Sequence, residues 1–165
     1  MPDNFSTYYH SPVGWLRISG TADYISEVSF REKQEPDGLP VTKVPPLLFE
    51  CTEQLIQYFN GQRRIFELPL NQTGTPFQQD VWSSLLQIPF GKTISYMEMA
   101  KRSGDVKAIR AIANANGRNN IAIIVPCHRV IGSNQTLVGY AGGLPRKKFL
   151  LGLEAKIANG VQTLF

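Results

Sequence analysis

Cys127 and His128 are neighbours, and they follow directly on the apolar run Ile121-Ala-Ile-Ile-Val-Pro126. The β-branched residues predict a buried strand that Pro126 ends, so a thiol arrives on the end of a shielded segment with an imidazole beside it. Packing alone gives little reason for that choice. A nucleophile whose thiolate must form away from water gives a good one. Glu154, near the inner edge of the last helix, is an acid that needs a partner if buried, and a histidine is a suitable one. A Cys-His-acid set is expected to lower the thiol pKa toward neutrality. The other cysteine, Cys51, falls in an apolar helical stripe and reads as a small core residue. Two Cys and two His without C-x-x-C or H-x-x-x-H spacing make no typical metal site, so neither metal nor cofactor is expected.

The elements that must position these residues divide the chain by charge. Residues 1–75 hold six Lys/Arg against nine Asp/Glu, whereas residues 76–165 hold eleven against four. The basic half points to a polyanionic partner, although charge alone also suits an ordinary solvated surface. No run of about 18 apolar residues is present, and the N-terminus lacks the features of a secretory signal. A reduced thiol and a cytoplasmic location are therefore expected.

Residues 1–71 are expected to form a small α+β domain. Ser6–His10, a turn at Ser11-Pro-Val-Gly14, Trp15–Ser19 and Tyr24–Phe30 read as three strands. Residues 31–46, with Pro36-Asp37-Gly38 and Pro40, read as an exposed loop. A helix follows with Leu47, Leu48, Cys51, Leu55, Tyr58 and Phe59 on one face, ended at Gly61, and Ile65–Leu70 reads as a further strand.

Residues 76–165 are expected to be a mostly helical second domain. Thr75-Pro-Phe-Gln78 is a capping box opening a helix to about Gln87, with Trp82, Leu85 and Leu86 inward. Ser95-Tyr-Met-Glu98 opens a short helix to about Ser103. Gly104 turns the chain, and Asp105 caps a third helix to about Asn116. This is the spacing of a helix-turn-helix, weak alone. The third helix strengthens it: Ala108, Ala111 and Ala115 give a small-residue face, and Lys107 and Arg110 stand where phosphates or bases could be met. Gly132 to Gln135 reads as a turn, Thr136–Tyr140 as a short ribbon and Ala141-Gly-Gly143 as a loop open to a ligand. Pro145–Lys156 is a terminal helix with Arg146, Lys147 and Lys148 outward and Phe149, Leu150 and Leu153 inward. A cysteine hydrolase would need an oxyanion hole and a water-driven second step, and a non-catalytic helix-turn-helix protein has no use for an activated thiol. A thiol alkyl acceptor acting on DNA uses both the nucleophile and the basic helices.

Pro126-Cys127-His128-Arg129-Val130 resembles the active-site signature of the O6-alkylguanine-DNA alkyltransferases, the methylated-DNA–protein-cysteine methyltransferases. The similarity runs through Phe77-Gln-Gln-Asp-Val-Trp82, Pro89-Phe-Gly91, Ile94-Ser-Tyr96, Arg110, Asn119, Tyr140-Ala-Gly-Gly143 and Glu154. The resemblance implies a ribonuclease-H-like N-terminal domain and a winged-helix-like C-terminal domain. It implies that a monomer binds the minor groove of double-stranded DNA, with clustering on DNA left open, and takes an alkyl group from O6-alkylguanine, and from O4-alkylthymine, once per molecule. Cys127 would accept the alkyl group, His128 would act as base through a water, and Glu154 would orient it. Asn119 would tie the recognition helix to the Cys127 segment. Arg110 would fill the space of the extruded nucleotide, and Tyr96 would promote its rotation and protonate guanine N3. Ser95, Lys107, Ala108, Ala111 and Arg118 complete the expected DNA-contacting set. Tyr140, Ala141, Asn116 and the carbonyls of Cys127 and Val130 would line the guanine pocket. Some relatives carry zinc in the N-terminal domain, but this chain has no matching Cys/His set.

Overall fold

A computed structural model describes residues 4–34, 43–133 and 137–160. The chain forms two compact units, Met1–Thr73 with Asn120–Ile124, and Gly74–Asn119 with Val125–Phe165. The segment Asn120–Ile124 thus packs with the first unit, although the sequence division falls near residue 72. The expected loop at Pro36–Pro40, and the ends of the expected Gly132–Gln135 turn and Thr136–Tyr140 ribbon that meet at 134–136, lie outside the described residues.

In the first unit, β1 (Phe5–Ser11), β2 (Gly14–Gly20) and β3 (Ile25–Arg31) form an antiparallel meander. The turn that joins the first two holds because Ser11 Oγ donates to the Gly14 carbonyl at 2.7 Å and accepts from Val13 N–H at 3.1 Å. Alternation puts Leu16 and Ile18 of β2 inward with Val28 of β3, and the register shift at Ser19/Gly20 returns Ile25 to the same face; all four are fully buried. They share a core with α1 (Pro46–Phe59), which buries Leu48, Cys51, Leu55, Tyr58 and Phe59 at helical spacing. Leu47 is only half-buried, and Gln54 takes the inward place instead. The Gln54 amide donates to the Glu67 carbonyl at 3.2 Å and accepts its N–H at 2.9 Å. That exchange, together with the missing N–H of Pro69, explains why residues 65–70 are not the expected strand. Only a single parallel bridge, Leu70 to Ile25, remains, and Ile65 is 73% exposed.

The apolar run before Cys127 departs from expectation in shape but not in burial. Ile121 makes one parallel bridge to Val28. The chain then turns, with Ile124 N–H donating to the Ala122 carbonyl at 2.7 Å and Ile123 at φ +71°. A β-branched residue in that left-handed region is strained and persists only where its surroundings hold it, and Ile123 is fully buried. An apolar run without alternation specifies burial but no period, so strand and buried turn read alike.

In the second unit, α2 (Pro76–Leu85) starts with both halves of the Thr75–Gln78 capping box and ends one turn-fraction early, at Leu85. Leu86 is consequently exposed rather than inward. Trp82 Nε1 donates to the Ala115 carbonyl at 2.9 Å, fixing α2 against α4 (Ile109–Gly117). Helix α3 (Tyr96–Ser103) is capped by the Ser95 hydroxyl accepting from Glu98 N–H at 3.0 Å, and it ends on Gly104 at φ +91°. Asp105 then caps a short 3-10 turn, Val106–Ala108, that precedes α4, so the expected third helix starts as a tighter coil. β4 (Ile94–Ser95) pairs in parallel with β5 (Val130–Ile131) and brings the start of α3 beside the Cys127 turn. The last helix, α5 (Leu144–Asn159), buries Leu150, Leu151 and Glu154. Phe149 is exposed, contrary to expectation, and Leu153 is half-buried. Among the described residues no helix is long and apolar enough to cross a membrane.

Candidate active site

Cys127 opens a single 3-10 turn, Cys127–Arg129, whose three side chains are all buried. The turn is clamped at its start by Cys127 N–H donating to the Val125 carbonyl at 2.8 Å. Asn119, just past α4, donates to the same Val125 carbonyl at 2.9 Å, and its side chain also hydrogen-bonds the Cys127 thiol.

Behind the thiol sits a buried charge cluster. His128 Nε2 lies 2.7 Å from Glu154 Oε2. A carboxylate only accepts, so Nε2 carries the proton and the lone pair of neutral His128 is on Nδ1. That nitrogen makes no hydrogen bond among the described residues. Glu154 has further partners. Arg129 Nε donates to Oε1 at 2.8 Å, Nη2 to Oε2 at 3.1 Å, and Gly91 N–H to Oε1 at 3.3 Å. Arg129 Nη1 donates to the Ile88 carbonyl at 2.7 Å, and its guanidinium lies 5.7 Å from the centre of the Phe90 ring. Burial alone would raise the Glu154 carboxyl, but His128 and Arg129 together outweigh it and hold it well below the usual carboxylate range.

The thiol itself does not follow the expectation of a lowered pKa. Burial pushes Cys127 up, and the Asn119 hydrogen bond, the Lys147 charge and a backbone hydrogen bond only partly oppose it. The resting group is a neutral thiol. The reason is physical: a buried sulfur loses more than two hydrogen bonds and one nearby cation restore.

Cys127 borders a cavity of about 490 Å³ that is also lined by Tyr96, Arg110, Asn116, Tyr140 and Ala141. Tyr96, the first residue of α3, is raised above the ordinary phenol range chiefly by burial. Tyr140 is raised further, by burial and then by the nearby sulfur. Arg110 stands exposed on α4 at the cavity edge. Lys107, Ala111 and Arg118 are exposed away from the cavity lining, Ser95 is taken up as a helix cap, and half-buried Ala108 lines a different groove beside Phe77. Val130 is fully buried outside the lining, and its carbonyl accepts from Lys147 Nζ at 2.7 Å.

Two residues of the site were not foreseen. Lys147 was expected outward on the terminal helix, yet it is fully buried. Its ammonium also donates to the carbonyls of Val138 at 3.0 Å and Gly139 at 3.2 Å, and burial lowers its pKa to about 8. The signal was its place on α5, three, four and seven residues before Leu150, Leu151 and Glu154, which is the buried face. Arg129 was quoted only as part of a motif. A buried carboxylate with two oxygens wants more donors than one imidazole supplies, and the adjacent cation answers that need.

Fold and site together define a two-unit α+β protein that presents a buried cysteine on a cavity wall beside a helix-turn-helix pair. Residues 4–72 match the ribonuclease-like domain, and residues 76–156 the DNA binding domain, of the 6-O-methylguanine DNA methyltransferase family. The chain belongs to that family. It is 43% identical over 157 residues to the constitutive methylated-DNA–protein-cysteine methyltransferase of Bacillus subtilis, covering 92% of this chain and 95% of that protein. A crystal structure of the Mycobacterium tuberculosis O6-methylguanine methyltransferase superposes with a TM-score of 0.83 at 40% identity, covering 96% and 97% of the two chains. A structure of the M. tuberculosis protein in complex with DNA gives 0.81 at 42% identity, covering 91% and 92%.

Proposed function

We propose that this protein reverses alkylation of guanine in duplex DNA directly, moving the alkyl group from O6 of the base to the Cys127 sulfur. The observation that carries this reading is a buried thiol on the wall of a 490 Å³ cavity, backed by a histidine whose Nε2 is held by Glu154 at 2.7 Å. Glu154 keeps its charge and holds Nε2–H, which leaves Nδ1 as the nitrogen that takes the thiol proton through a water. The sulfur then attacks the alkyl carbon, the S–C bond forms and the C–O6 bond breaks. Tyr96, protonated at rest, supplies a proton to guanine N3 as the base departs. On balance the thiol hydrogen replaces the alkyl group on the base. Because Cys127 rests as a neutral thiol, its proton must leave before the sulfur attacks.

The target carbon lies inside the base stack, so the nucleotide must be flipped out at a cost of a few kcal/mol. The small-residue face of α4 suits the narrow minor groove, and Arg110 offsets the lost stacking by entering the vacated space. Lys107 and Arg118 face the backbone phosphates. The same chemistry extends to O4-alkylthymine, whose alkyl carbon is likewise bonded to an exocyclic oxygen. In this reading residues 76–165 carry the chemistry, residues 1–71 support it, and the protein works as a monomer in the cytoplasm, where thiols stay reduced.

Reaction at a thioether carbon offers no route back, so each molecule acts once. Mass spectrometry after mixing with an O6-methylguanine duplex tests this: one methylene of added mass is expected on Cys127. Cys127→Ser should bind the duplex and gain nothing. Unmodified wild-type protein would sink the reading, and more than one alkyl group removed per molecule would sink its single turnover.

A further inference from the structure

The groove beside Phe77 has a volume of about 480 Å³, and helices α2, α3 and α4 of the second unit line it. Its floor is apolar, with Val81, Met99 and Ile112 each no more than 5% exposed. Phe77 lines the same groove at 41% exposure, a ring that the fold leaves partly uncovered. An apolar hollow of ligand size beside an exposed ring has the form of a binding surface.

Charge decides what that surface fits. Residues 76–165 hold four acids, Asp80, Glu98, Asp105 and Glu154, among eleven Lys/Arg. Glu154 is buried with His128 and Arg129, and Glu98 lies 3.3 Å from Arg102, the cation that lines the groove. Asp80 and Asp105 remain, and both line the groove, one from α2 and one from the turn before α4. Both are exposed, and neither forms an ion pair among the described residues. Asp105 Oδ1 accepts the Lys107 backbone N–H at 2.9 Å, which holds the carboxylate in place without a counter-ion. The unpaired negative charge of an otherwise basic half is thus gathered at one apolar groove. A DNA backbone is repelled there, and a cation is attracted.

We propose that this groove docks a cationic peptide segment of a partner protein. A leucine or phenylalanine of that segment sits on the Val81, Met99 and Ile112 floor beside Phe77, and flanking lysines or arginines meet Asp80 and Asp105. The apolar contact supplies affinity, and the carboxylates select against acidic segments. A plain basic tail has nothing to bury on the floor, so the two features together select an amphipathic cation. The Cys127 cavity stays open when the groove is filled, because the two share no lining residue.

Fluorescence anisotropy with the full-length protein at physiological ionic strength tests this with three labelled peptides. The first, KLKKFKLK, is cationic with apolar side chains. The second replaces every lysine by glutamate, and the third replaces leucine and phenylalanine by serine. The first should bind at least about tenfold more tightly than either of the others. Phe77→Ala should weaken its binding about tenfold. Asp80→Asn with Asp105→Asn should do the same, since it removes both charges while asparagine keeps a capping oxygen before α4. Asp80→Asn alone, at an exposed helical position, should cost about threefold and gives the readout should the double variant not fold. Failure of the first peptide to bind, equal binding of the third, or binding that survives the asparagine changes overturns the proposal. Sedimentation velocity without peptide tests the other occupant. A concentration-dependent dimer that the asparagine changes abolish means that a second copy fills the groove, which also overturns it.

Discussion

Each compact unit buries one cysteine, and the two thiols differ in what surrounds them. Cys51 sits in the core between α1 and the sheet, where burial first and the charge of Glu50 second push it up to about 12. Cys127 is pushed up by burial too, but the Asn119 side chain, the Lys147 ammonium and a backbone hydrogen bond pull the other way. Cys51 is inert because every influence on it favours the neutral form. Cys127 has the groups that stabilise a thiolate already in place, and a cavity at its side. Burial therefore does not distinguish a working cysteine from a packing one; opposition to burial, combined with access, does.

The largest way to break that difference is Glu154→Gln. The change leaves Arg129 buried without its counter-charge, which costs about 3–5 kcal/mol of stability. It also removes the carboxylate that fixes the His128 tautomer, so transfer to Cys127 should slow by about a hundredfold or more. The sign of the pH dependence follows from the depressed Glu154 value. Its contribution is present above the ordinary glutamate range and is lost progressively as pH falls below that range toward the much lower folded value, so wild-type Tm should drop steadily below about pH 5. Thermal melts of Glu154→Gln should show a lower and flatter Tm over that window. A melt profile parallel to wild type would contradict the assigned role of the pair.

A smaller effect is expected from Lys147→Met, which removes one of the influences that oppose burial at Cys127. Below about pH 8, where Lys147 is charged, alkylation of Cys127 by iodoacetamide should slow about tenfold at fixed pH. The carbonyls of Val130, Val138 and Gly139 lose their shared donor, at about 1–3 kcal/mol. Lys147 is itself held at about 8, below the unfolded lysine value. Its charge therefore costs stability below pH 8, a cost that fades as pH climbs toward the unfolded value, and the methionine variant should lose that pH dependence. An unchanged alkylation rate at that pH would remove Lys147 from the account of the thiol.

What could be read in the sequence was local. The caps at Thr75, Ser95 and Asp105 and the stop at Gly104 are short-range hydrogen-bond and φ constraints, written in adjacent residues. The strand alternation of β1 to β3 and the α1 stripe are equally local, because one face of each is buried. The segment Ile121–Val125 was legible as buried but not as a turn, since the reversal at Ile123 depends on where the chain must go next. Near Cys127, the need of a buried Glu154 for an imidazole could be argued from charge burial alone. That it also draws in Arg129 could not, and neither could the burial of Lys147, because charged side chains are ordinarily outward. Their acceptors are the carbonyls of Ile88, Val130, Val138 and Gly139, and no residue type marks a carbonyl that awaits a cation.

The smallest expected effect is on the other side of the comparison. Cys51→Ala removes one sulfur from a fully buried core site and should cost about 1 kcal/mol, read as a modest shift in urea midpoint at unchanged slope. Transfer from an O6-methylguanine duplex should proceed at the wild-type rate, and iodoacetamide should label the native variant at Cys127 as it labels wild type. In native wild type Cys51 should resist the reagent at neutral pH, because nothing stabilises its thiolate and nothing admits the reagent. Denaturation should expose it, since the raised value belongs to the folded core and not to the residue. Labelling of Cys51 in the native state at a rate near that of Cys127 would mean that the surroundings of the sulfur do not distinguish the two thiols.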